Sequence, residues 1–153
     1  MSLPYFLFSF EGRIGRARFW LGMLILLGLS MAATYLIVVL AGLSQAAVAF
    51  SAAVAFALAY PAYAVMAKRF QDRNKPGWFA LIGLVPVYIV NLLYTFEVFD
   101  EAEPTLLAQG LDAVIVLIFL WFLVELGLLK GTQGPNAYGP DPLGHRQADA
   151  RLG

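Results

Sequence analysis

Between Phe19 and Ala67 the chain carries no Asp, Glu, Lys or Arg, and no other feature limits its fold as tightly. The first part of that stretch, Phe19 to Gly42, supplies 24 uncharged residues. At about 1.5 Å of rise per residue such a run crosses the ~30 Å hydrocarbon core of a bilayer with some tilt. A backbone in lipid must satisfy its own N–H and C=O groups, so the run is read as helix. Ser44-Gln45 allows a tight turn, and the second run, Ala46 to Ala67, returns antiparallel to the first. A cleaved secretory signal is the rival reading, since Arg13, Arg16 and Arg18 precede the first run and small residues follow it. Its apolar part is too long for a signal and further spans come after it, so the helix is expected to remain.

Two more apolar runs follow, which predicts an all-α, polytopic bundle of four transmembrane helices. The spans are expected over 19–43, 46–67, 78–96 and 111–129, after an N-terminal segment 1–18 and before a tail 131–153. The tail is rich in Gly, Pro, Asn and Asp without helical period, and reads as a loop that orders only by docking. Composition agrees with the spans: 61% hydrophobic and 13% charged residues are too apolar for a water-soluble domain of this length. The absence of cysteine and a lone His145 exclude thiolate and histidine-clustered metal sites and a cysteine nucleophile. No Ser-His-Asp set, catalytic carboxylate pair or phosphate loop can be assembled, so no cofactor, metal or nucleic-acid partner is expected.

The charges give an orientation. Arg13, Arg16 and Arg18 precede span one, Lys68, Arg69, Arg73 and Lys75 join spans two and three, and Lys130, Arg146 and Arg151 follow span four. All ten basic residues therefore fall on one side. Glu97, Asp100, Glu101 and Glu103 fall on the other. Basic residues are enriched in cytoplasmic loops, so both termini and the Lys68–Trp78 segment are placed in the cytoplasm, with Trp78 as an interfacial anchor.

Within the spans, Ala49, Ala53 and Ala57 recur every four residues and are expected at an interhelical contact, because small residues let helices approach closely in lipid. Pro61 is expected to bend span two near Tyr60 to Tyr63. Asn91, with Tyr88 and Tyr94 three residues to either side, forms a polar stripe suited to an interhelical hydrogen bond or a small cavity. Glu125 is an acid inside an apolar run, only ~8 Å along the helix from Lys130, and is expected to pair with Lys130 or a loop arginine. Asp112 is read as a carboxylate near a helix N-terminus. Asp72 lies four residues after Lys68 and three after Arg69, spacings that bring the charges together if the helix of span two continues through them.

Three local patterns remain: Phe10-x-Gly12-Arg13-x-x-Arg16-x-x-Phe19-Trp20; Arg69-Phe70-Gln71-Asp72 followed by Gly77-Trp78; and Gly134-x-Asn136-x-Tyr138-Gly139-x-Asp141-Pro142. In this order around the apolar runs they resemble the bacterial membrane-protein family catalogued as domain of unknown function 805. The resemblance covers nearly the whole chain and implies a small four-helix inner-membrane protein. The family usually has His where Gln71 stands and a small polar residue where Pro76 stands. It implies no reaction. Topology puts Arg13, Arg16, Arg69, Asp72, Asn136 and Tyr138 on the cytoplasmic side, where they are candidates to receive an anionic lipid headgroup or an acidic partner segment. Asn91 and Glu125 are the intramembrane polar candidates. The leading expectation is a non-enzymatic accessory or scaffold subunit, or a lipid-contacting structural protein, associating with itself or another membrane protein. A small oligomeric transporter or channel is the alternative, and a lipid-modifying enzyme ranks last.

Overall fold

The computed structural model describes residues 2–96, 98–99 and 105–144. The acidic residues Glu97, Asp100, Glu101 and Glu103, and the tail beyond Gly144 with His145, Arg146 and Arg151, lie outside the described residues. Five α-helices follow in order: α1 (Leu3–Phe8), α2 (Arg16–Ala41), α3 (Gln45–Asp72), α4 (Leu81–Thr95) and α5 (Leu106–Phe122). A 3₁₀ turn, Gly77–Ala80, leads into α4, and a π-wound segment, Leu123–Leu128, extends α5. Counting those extensions, four helices are long and apolar enough to cross a membrane. Among the described residues there is no strand, only one isolated bridge between Asn136 and Gly139.

The helix ends differ from the expected spans for local reasons. α2 begins at Arg16 and stops where Gly42 adopts φ 63°. In α3, Ser44 caps the start by accepting from the Ala47 N–H. It then runs unbroken through Pro61 and past residue 67 to Asp72. There Lys75 N donates to Phe70 O at 2.9 Å and Asn74 N to Gln71 O at 3.0 Å, with Asn74 at φ 57°. This is a Schellman ending in which Asn takes the left-handed position usually held by Gly. α5 begins at Leu106, capped by Thr105, five residues before the expected 111. Asp112 consequently sits beyond the first turn, and it accepts from the Tyr94 hydroxyl at 2.7 Å instead of facing free backbone N–H groups.

α3 is the central helix, packing against α1, α2, α4, the 3₁₀ turn and the π segment. The faces it uses are not the expected ones. Ala49, Ala53 and Ala57 are exposed, while Ala47, Ala64, Val65 and Ala67 are buried. A period of four marked the right kind of residue but not the side of the helix on which a neighbour lies.

The core sits at the basic end of the bundle. Phe6, Leu7, Ile14, Phe19, Val65, Phe70, Phe122 and Leu126 pack together there, with the Phe70 ring 5.8 Å from Phe79 and 5.5 Å from Phe122. Phe10 of the N-terminal segment lies on Tyr60 and Tyr63, at 5.3 and 4.8 Å between rings. Elsewhere the large side chains, including Leu36, Leu40, Phe50 and Phe119, point outward. That distribution suits hydrocarbon solvent, in which apolar surface need not be hidden and packing alone selects the contacts.

Candidate functional site

The end of α3 carries Lys68, Arg69 and Asp72 into the protein interior. Arg69 and Lys68 are the largest fully buried side chains, which is tolerated only where each charge is paired and hydrogen-bonded. Asp72 supplies the counter-charge. Its Oδ1 accepts from Arg13 Nε at 3.1 Å, and its Oδ2 accepts from Arg69 Nη1. The expected pairing with Arg69 is present. Lys68, equally well spaced for Asp72, turns the other way: its ammonium donates to the Tyr5 and Phe6 carbonyls and lies 5.7 Å from both ring centroids. The last carbonyls of a helix have no partner within it, and Lys68 supplies one for α1.

Arginine does the same at the end of α5. The π winding brings Leu129 N to Val124 O at 3.0 Å, and the carbonyls from Leu126 to Lys130 are met by side chains from other elements. Leu126 O accepts from Arg69 Nε at 2.7 Å, Gly127 O from Trp20 Nε1 at 3.3 Å and Leu128 O from Arg16 Nη1 at 2.8 Å. Leu129 O accepts from Arg69 Nη2, and Lys130 O from Arg73 Nη1 at 2.7 Å. A helix C-terminus bears partial negative charge, so the cations both cap and neutralise it. Glu125, only 5% exposed, is paired with Arg73 at 2.9 Å and Lys75 at 2.7 Å. Its partners are loop cations, an arginine among them, and not Lys130.

The tail docks on this cluster as far as it is described. Arg13 Nη1 donates to Gly134 O at 2.7 Å and Gly139 O at 3.1 Å, and Nη2 to Thr132 O at 2.6 Å and Oγ1 at 3.1 Å. Every N–H of its guanidinium therefore has an acceptor. Thr132 donates from both N and Oγ1 to Asp72 O. Asn136 Nδ2 donates to Gln71 O at 2.9 Å and Thr132 Oγ1 at 2.8 Å. Tyr138 takes part through its backbone N–H, given to Asn136 Oδ1 at 2.8 Å. Asp141 receives the N–H groups of Leu143 and Gly134, and these hold its carboxyl below the usual range.

Of the six residues singled out on the basic side, Arg13, Arg69, Asp72 and Asn136 thus form one network, Tyr138 joins it through its backbone, and Arg16 sits exposed at its rim. Arg16, Lys130, Thr132 and Asp141 line a cleft of about 200 Å³ beside it. The sequence offered no sign of Gly131, where an added Cβ would stand 2.0 Å from Asp72 Oδ2. The polar stripe on α4 is divided. Tyr88 donates to Ala55 O at 2.8 Å and Tyr94 to Asp112, while Asn91 lines a cleft of about 350 Å³ at the opposite end with Thr34, Ser51 and Thr95. Among the described residues no group of His, Cys, Asp and Glu is placed to hold a metal ion.

Four apolar spanning helices, exposed hydrophobic side chains along them and the described basic residues gathered at one end define a multi-pass α-helical membrane protein. The chain belongs to the family described as protein of unknown function (DUF805), which it matches over residues 7–140. That stretch includes every member of the network from Arg13 to Gly139. The chain is also 34% identical over 143 residues to the uncharacterized protein YiiR of Escherichia coli strain K12, covering 92% of this chain and 90% of that protein. The YiiR of Escherichia coli O157:H7 is similar to the same extent, 34% over 143 residues. No solved structure matches the chain.

Proposed function

We propose that this is a non-enzymatic scaffold or accessory subunit of the bacterial inner membrane, with both termini and the basic end in the cytoplasm. One observation carries the reading: the charges that a reactive site would use are consumed in holding the fold together. Both Asp72 oxygens are engaged, Oδ1 by Arg13 and Oδ2 by Arg69, and the Arg13 guanidinium is fully occupied by Asp72 and the tail. The network makes a rigid platform at one membrane face, and Arg16, Arg18 and Lys130 at its surface are left to meet anionic headgroups. A lipid-modifying role for Asp72 would require breaking that platform.

The cleft that Asn91 lines with Thr34, Ser51 and Thr95 favours a second reading, a small oligomeric transporter. Purification in mild detergent, followed by reconstitution, separates the two. A stoichiometric membrane partner supports the scaffold; a homo-oligomer that carries solute into liposomes supports the transporter and refutes the scaffold. Orientation is tested by reporter fusions, which should read cytoplasmic within residues 73–76 and after Gly153, and periplasmic within residues 99–104.

A further inference from the structure

α2 packs on α3 and on the π segment, while α5 packs on α4. Between α2 and the α4–α5 pair lies a groove of about 480 Å³, lined by apolar residues alone. Trp20 and Met23 form one wall; Gly83, Val87, Val116 and Phe122 form the other. Trp20 is on the second turn of α2, so the groove occupies the leaflet next to the basic end. Its volume lies within the roughly 300–1,000 Å³ of small-molecule sites.

The groove itself holds no charge, but cations stand one helical turn beyond its Trp20 end, lining the neighbouring cleft. Arg16 precedes Trp20 by four residues and shares its face of α2. The two side chains reach adjacent carbonyls of the π segment, Leu128 O at 2.8 Å and Gly127 O at 3.3 Å. Arg16 is exposed, and its Nε and Nη2 have no partner among the described residues. Arg18 and Lys130 are exposed nearby and pair with no described carboxylate. Asp141 shares the cleft with Arg16 and Lys130, but its oxygens accept from Gly134 N and Leu143 N.

We infer that the groove and the neighbouring cleft hold one anionic diacyl phospholipid from the surrounding bilayer, its phosphate on Arg16 and Lys130 and an acyl chain between Trp20, Met23, Val87 and Val116. Charge and shape choose this occupant. A phosphate complements the free guanidinium donors, and a chain complements an apolar slot that begins one helical turn away. A slender chain can follow such a slot along its length. The inference rests on the scaffold reading only in assigning the lipid to the cytoplasmic leaflet.

Native mass spectrometry from a neutral detergent, with dioleoyl phosphatidylglycerol and dioleoyl phosphatidylcholine as probes, tests it. The wild-type chain should retain one phosphatidylglycerol per protomer and bind phosphatidylcholine at least tenfold more weakly. Arg16→Gln should weaken phosphatidylglycerol about tenfold and phosphatidylcholine less, because its choline already offsets the phosphate charge, and Arg16→Lys should restore part of the difference. Val116→Trp, at a lipid-facing position, should fill the slot and weaken both lipids. Should Arg16→Gln fail to fold, Lys130→Gln carries the headgroup test from an exposed side chain. Unchanged phosphatidylglycerol binding in Val116→Trp overturns the inference, as does displacement by an equal concentration of inorganic phosphate, which would mean an anion site without a chain. A dimer that excludes lipid and is broken by Val116→Trp would assign the groove to a second copy and overturn it too. A membrane partner without retained phosphatidylglycerol sinks this inference and leaves the scaffold standing. Bound phosphatidylglycerol with a periplasmic reporter at Gly153 does the reverse.

Discussion

Replacing Asp72 by Ala should be the most damaging single change at the basic end, and its size follows from the geometry. The residue is 3% exposed and bridges Arg13 at 5% and Arg69 at 0%. Its removal deletes two charge-assisted hydrogen bonds, each contributing about 1.5–3 kcal/mol, and leaves two buried guanidinium groups without a counter-ion. Both arginines keep carbonyl partners, Arg13 in the tail and Arg69 at Leu126 and Leu129, so the loss should fall near the 3–5 kcal/mol of a broken buried pair. Asp72→Asn retains an acceptor for one arginine and should lose about half as much. The measurement is reversible unfolding in mixed micelles, titrating a mild detergent with dodecyl sulfate and following helicity. In an Arg13→Met background the same Asp72→Ala change should cost at least about 1 kcal/mol less, because one of the stranded charges is gone. A loss under about 1 kcal/mol for Asp72→Ala, or strict additivity in the cycle, would refute the structural account. Intact stability with lost cellular function would move Asp72 to chemistry.

Three further outcomes are expected. Gly131→Ala should destabilise by about 1–3 kcal/mol in the same titration, since its Cβ would stand 2.0 Å from Asp72 Oδ2 and push the carboxylate off its arginines; wild-type stability would show that the Lys130–Thr132 backbone yields freely. Asn74→Ala should cost about 1 kcal/mol through its φ of 57°, while Asn74→Gly should be neutral or slightly stabilising. Asp141 has its carboxyl held below the ordinary 3.8 by the Leu143 and Gly134 N–H groups. Its contribution to tail docking should therefore be complete above that value and lost as pH falls through the lower folded one. Protease accessibility of the 131–144 segment should rise in that acid window in the wild type, and Asp141→Asn should abolish the pH step.

The network joins residues far apart in sequence, and this decides how much of it could be read beforehand. Arg69 and Asp72 share a helical turn, so their pairing follows from spacing once α3 is known to continue past residue 67. Arg13 lies 59 residues from Asp72 and 126 from Gly139, and nothing local marks those contacts. Lys68 shows how spacing misleads: it satisfies the same rule as Arg69, yet the carbonyls at the end of α1 take its ammonium. Glu125 is intermediate, because an acid in an apolar run must find a cation, but Arg73 and Lys75 were chosen by where the loop passes.

By itself the sequence determined the number of spans, their order and the gathering of the basic residues at one end. Each of these is a sum over some twenty consecutive residues, dominated by the cost of placing charge and unpaired backbone in hydrocarbon. Only the tertiary structure decided which charges are buried, that Ala49, Ala53 and Ala57 face outward, and that the tail folds back onto Arg13. The burial of Lys68 and Arg69 depends on carbonyls left open at the ends of α1 and α5. A backbone carbonyl is the same for every residue type, so its need for a donor appears only when the helices have been brought together.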